Sequence, residues 1–141
     1  MRPLYEIFDE FEMSKTKKEK MDVIGRNLSQ LLVDVLKLTY HPQFQWKVKD
    51  LPEDYRVPND VLPGITHDTL NRQLRRLYMF QVGNPTAEKL TEGRRKELLI
   101  QMLESLEPRE AEIILGIFNK DLGVKGLDYK FVKEAFPKML P

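Results

Sequence analysis

No cysteine occurs in the 141 residues, so neither a disulfide framework nor a thiolate metal site is available. That fits a reducing compartment and leaves a virion or periplasmic setting open. Charge of one sign is not in excess, with 23 Lys plus Arg against 22 Asp plus Glu. A nucleic-acid surface must therefore arise from local sorting of charges rather than from a long-range field. Long apolar runs are missing too. The richest stretch, Leu28 to Tyr40, is broken by Ser29, Gln30, Asp34 and Lys37 and is too short to cross a bilayer. The first twenty residues alternate acids, aromatics and lysines and hold no export signal. A soluble, cytoplasmic protein with no membrane partner is the expectation.

Catalytic patterns are equally sparse. His41 and His67 stand alone, with no HxxxH or HExxH spacing to put two imidazoles on one helix face. There is no GxxxxGK[ST] phosphate loop and no GxGxxG after a strand. Glu6, Asp9, Glu10 and Glu12, like Glu104, Glu107, Glu110 and Glu112, follow surface-helix spacing and read as solvated faces, because nothing forces a pair of them into unlike environments. No catalytic residue, metal ligand, cofactor or small-molecule substrate is expected, and the chain reads as a non-enzyme.

What is present is helical periodicity. Leu4, Ile7, Phe8 and Phe11 form one apolar stripe over residues 3–12. Ser14 is placed to cap a second helix running to Ile24, with Lys15, Lys17, Lys18 and Lys20 near its start and Gly25 ending it. Those lysines oppose the helix dipole, so they are either solvated or neutralised by something anionic. Asn27 then caps a helix carrying Leu28, Leu31, Leu32, Val35, Leu36 and Leu38, which reads as the central one. Pro42, Pro52, Pro58 and Pro63 forbid a long helix over residues 41–64, leaving a connection pinned by Phe44, Trp46 and Tyr55. A helix capped by Thr66 runs to Phe80, with Leu70, Leu74, Leu77 and Tyr78 facing inward. Gly83-Asn84-Pro85 starts a short helix to Leu90, Glu92-Gly93 breaks the chain, and a helix covers residues 94–106. Pro108 opens the next, and Asp128 caps the last, which Pro137 stops. The fold class is all-α: one domain over residues 1–141, an irregular orthogonal bundle of seven to eight helices.

Basic side chains gather at helix ends: Lys47 and Lys49 beside Trp46, the Arg72, Arg75 and Arg76 face, Arg94-Arg95-Lys96 after Gly93, and Lys120 and Lys125 around Gly123 and Gly126. Glycine-bounded helix ends suit phosphates, since backbone N–H groups can approach an anion where no Cβ intervenes. Singly, each cluster is also what a solvated face looks like.

The order of these elements resembles the N-terminal α-helical DNA-binding domain of ATP-dependent DNA ligases, particularly the phage type. The resemblance rests on Leu4-Tyr5-Glu6-Ile7-Phe8-Asp9-Glu10-Phe11, Ser14-Lys15-Thr16-Lys17-Lys18, Leu38-Thr39-Tyr40, Gly83-Asn84 with Ala87-Glu88-Lys89-Leu90-Thr91, Gly93-Arg94-Arg95, Asn119-Lys120-Asp121-Leu122 and Phe136-Pro137-Lys138-Met139-Leu140-Pro141. It implies sequence-independent gripping of double-stranded or nicked DNA through phosphates, with Gly83, Asn84, Gly93, Arg94, Arg95, Lys120, Gly123 and Lys125 as the contacting positions. It also implies a phage-encoded protein working in replication or repair in the host cytoplasm. Two departures stand out. The second glycine of the 120–126 turn falls one place later than in the family, which bears on Lys125 and Gly126. The KxDG lysine nucleophile of ligases occurs nowhere in the sequence.

A second reading takes the same bundle as a protein-interaction or structural module of a virion or replisome, docking through the aromatic and acidic helix around Phe8, Asp9 and Phe11. An inhibitor competing for a nick or a clamp is a third.

Overall fold

The computed structural model describes residues 2–48, 51–52, 55 and 69–141. Local chemistry sets its helix ends. Helix α1, Leu4–Met13, begins behind Pro3 and is closed by Ser14, whose Oγ donates to the Glu10 carbonyl at 3.0 Å. Ser14 thus finishes α1 rather than starting α2. Helix α2, Lys17–Arg26, is capped by Thr16, because Thr16 Oγ1 accepts the N–H of Glu19 and the Glu19 carboxylate reaches back to the Lys15 N–H. Gly25 lies inside α2, and Asn27 caps its C-terminus, its amide donating to the Val23 carbonyl at 2.8 Å. Ser29 takes the N-cap of α3, Gln30–Tyr40, accepting from the Leu32 N–H. In each case an adjacent hydroxyl or amide has the better reach to the orphan backbone group.

Thr66 falls outside the described residues, and the helix expected from it to Phe80 is two pieces. These are α4, Leu70–Leu74, capped by Thr69, and a 3-10 turn over Leu77–Phe80. Leu70 and Leu77 are buried and Leu74 half-buried, but Tyr78 is 46% exposed, since the tighter turn swings it out of the inward stripe. Helix α5, Pro85–Lys89, starts at Asn84 as expected. Helix α6, Glu92–Glu104, starts two residues earlier than expected, because the Thr91 hydroxyl accepts from Arg94 N–H and draws Gly93 into the first turn. Helix α7, Pro108–Phe118, and helix α8, Tyr129–Ala135, begin at Pro108 and after Asp128, as the sequence predicts. These make eight α-helices and one 3-10 turn among the described residues, with one isolated antiparallel bridge, Trp46 to Gln81. None of these helices is long and apolar enough to cross a membrane.

The packing centre is α7 as much as α3. Helix α7 touches α1, α3 and α6, and α3 touches α7 and α8. Ala111, Ile113, Ile114, Ile117 and Phe118 are all buried, giving α7 an apolar surface too wide for one neighbour. The described part of the proline-rich connection is held at the three expected aromatics. Phe44 stacks on Trp46, Trp46 sets its edge against Phe118 at 5.3 Å, and Tyr55 packs half-buried on the core.

Phe8 and Phe11 are 4% and 0% exposed, and Phe11 meets Phe131 edge-on at 5.0 Å. The apolar stripe of α1 is thus core, as its spacing implies, and the two rings that the second reading would use for docking are not exposed. Two of the four early lysines are satisfied from within. Lys20 lies over the Phe11 ring and donates to the Phe11 carbonyl at 2.9 Å, and Lys17 pairs with Glu134.

Candidate nucleic-acid interface

The glycine turn after α7 is a strut. Lys120 holds a left-handed backbone, φ 59°, and sends its ammonium inward to the carbonyls of Phe44 at 2.9 Å, His41 at 3.0 Å and Leu38 at 3.4 Å. All three of its donors are spent tying the end of α3 to the turn, and burial pushes its pKa down. Next to it, Asp121 Oδ1 accepts the Gly123 N–H and Glu12 Oε2 accepts the Lys125 N–H, both at 2.9 Å. Carboxylates thus sit where a phosphate cradle would need open N–H groups. The Gly126 position rests against Lys20 and Phe11, where an added Cβ would find them at 3.5 to 3.6 Å. Of the residues expected here to touch DNA, Lys120 is internal, the Gly123 N–H is occupied, and only the side chain of Lys125 projects into solvent.

The corner joining α5 to α6 is different. Arg95 is half-buried and donates to the carbonyls of Ala87 and Leu90, closing the end of α5, so it too is a structural clamp. Glu88 bridges the Gly83 N–H at 2.9 Å and the Lys47 ammonium at 2.6 Å, and the Lys47 bond holds the Glu88 carboxyl below its usual range. Asn84 spends its side-chain oxygen on the Thr86 N–H. Lys89, Arg94 and Lys96 point outward around the first turn of α6. Arg94 makes an exposed pair with Glu97 at 3.0 Å, of the kind that contributes little and exchanges readily.

Gly93 is the residue at this corner that internal structure does not demand. A Cβ built on it meets nothing within 4 Å, and unlike Gly83, at φ +88°, its backbone is ordinary helix. Alanine there would strengthen the helix by about 0.5–1 kcal/mol. The first-turn N–H groups of Glu92 and Gly93 have no acceptor within the helix. Gly93 and Arg94 stand out in the sequence as contacting positions, whereas Lys89, part of the Ala87-Glu88-Lys89-Leu90-Thr91 stretch, does not, and it is exposed at the end of α5.

The class defined by this fold is an irregular all-α bundle with a glycine-opened, cation-lined corner. The chain belongs to a family described as being of unknown function, DUF6433, whose model matches residues 7–124. No curated protein matches. Three solved chains match, among them one named "Pmar-Lig_PreS3", 16% identical with a TM-score of 0.65, in which the likeness covers 100% of this chain and 32% of that one. At that identity the likeness is one of fold, and the chain spans about a third of the length of that structure.

Proposed function

We propose that this protein binds double-stranded or nicked DNA through its phosphates, without sequence preference and without catalysing a reaction on it, with the α5–α6 corner as the central contact. The observation that carries the reading is Gly93: an exposed helical glycine with open space where its Cβ would be, on a helix whose exposed Arg94 and Lys96 follow it and which exposed Lys89 precedes at the end of α5, with Glu92 as the acid of the same first turn. A phosphate brought to the first turn of α6 would meet two N–H groups with no acceptor in the helix and the Arg94 guanidinium, with Lys89 and Lys96 nearby in the chain, and a missing Cβ lets the backbone approach. The ligase-like order of motifs, and the fold shared along the full chain with the neighbour named above, support the same reading. Lys120 and Arg95 hold the scaffold.

Fluorescence anisotropy on a nicked duplex tests this. Binding should weaken steeply with salt, log K falling by about 0.9 per phosphate neutralised for each tenfold rise in salt, and each of Lys89→Ala and Lys96→Ala should lower that slope by about one. Gly93→Ala should raise helix stability yet weaken binding several-fold. Absence of binding at roughly 50 mM salt, where phosphate contacts are strongest, would overturn the proposal.

A further inference from the structure

On another face, the joint between α2 and α3 and the chain after α8 enclose an open trough of about 640 Å³. Leu28, 55% exposed, and half-buried Val33, Phe136 and Met139 supply its apolar wall. Lys37 and Lys138 stand at its rim, and no carboxylate is among its lining residues. Leu28 owes this position to the two caps flanking it. Asn27 closes α2 and Ser29 opens α3, leaving Leu28 on the outside of the bend, where a polar residue would serve the caps equally well. A large apolar side chain kept in water beside a Phe and a Met is the composition of a docking groove rather than of a solvated bend.

We propose that this trough docks a short acidic, apolar peptide segment of a partner protein, its apolar side chains seated against Leu28, Val33, Phe136 and Met139 and its carboxylates facing Lys37 and Lys138. Charge complementarity selects this occupant. The apolar wall gives nothing to a DNA backbone, and two lysines are too few for a membrane surface, where attraction accrues at about 1 kcal/mol per basic residue. A peptide of alternating anchors and carboxylates uses both features at once. The proposal does not rest on DNA binding at α6.

A random 12-residue displayed-peptide library panned on the full chain, with counter-selection on Leu28→Ser, tests it. The enriched peptides should combine Leu, Ile, Phe or Met anchors with Asp or Glu. The consensus peptide should bind about tenfold more weakly to Leu28→Ser and several-fold more weakly to Lys37→Glu/Lys138→Glu. Both variants change exposed side chains and should keep the thermal midpoint, and Leu28→Ser, which leaves the charge unaltered, should keep the wild-type affinity for nicked DNA. Enrichment of basic peptides, or no enrichment over the counter-selected variant, would overturn the proposal. So would loss, in Leu28→Ser, of self-association or of binding to phosphatidylserine vesicles while peptide binding stays unchanged.

Discussion

Replacing Lys120 with Met keeps the apolar stem and deletes the ammonium that three carbonyls share. Two of those bonds, to Phe44 and His41, are well formed at 2.9 and 3.0 Å, and the third, to Leu38, is long at 3.4 Å. Hydrogen bonds to a charged group contribute about 1.5–3 kcal/mol each, and partial exposure of the site reduces that, so the loss should be about 2–4 kcal/mol. With a urea slope of about 2 kcal/mol per molar, the unfolding midpoint followed by circular dichroism should drop by about 1–2 M. Lys120→Gly provides an internal control. It removes the part-buried stem as well as the ammonium but relieves the left-handed backbone by about 1 kcal/mol, so it should lose no more than Lys120→Met despite deleting more side chain. Both variants, while folded, should bind nicked DNA as the parent does. An unchanged midpoint together with weakened DNA binding would make Lys120 a surface contact and not a clamp.

Gly116→Ala should cost about 1–3 kcal/mol in a thermal or urea melt, since its Cβ would fall 2.9 Å from Leu122 Cα and 3.2 Å from the Asp121 carbonyl, both backbone atoms that cannot step aside. Tyr40→Phe should cost about 1–3 kcal/mol, because the buried hydroxyl that donates to the Leu127 carbonyl at 2.8 Å would leave that oxygen unpaired. Burial pushes the Tyr40 hydroxyl up to about 12. The folded state therefore holds that proton more tightly than the unfolded one, and stability falls between about pH 10 and 12; this alkaline loss should shrink in the Phe variant. Glu110 is raised by burial and by the neighbouring Glu107, so its ionisation opposes folding once pH climbs above the ordinary carboxylate range. Glu110→Gln should be neutral to stabilising at pH 7, with the difference vanishing near pH 4 in paired urea melts. Asp9, lowered chiefly by its hydrogen bond to Arg109, contributes in the opposite sense, and that contribution fades as pH falls through its depressed value.

The sequence by itself determined the all-α class, the cap-and-proline starts at Asn84, Pro108 and Asp128, and the burial of the Leu4–Phe11 stripe, because each depends on residues within a turn or two of one another. It was less able to choose between neighbouring caps: Ser14 against Thr16, or Asn27 against Ser29. Two side chains of similar chemistry compete there, and the winner depends on where the next helix must pack. What the basic residues do follows from packing alone. Lys120 and Arg95 look in sequence like Lys89 and Arg94, yet the first two turn inward to carbonyls brought to them by α3 and α5, while the others face solvent. A cation's role is set by the acceptors within about 3 Å of its head, and for Lys120 those acceptors lie 76 to 82 residues away along the chain.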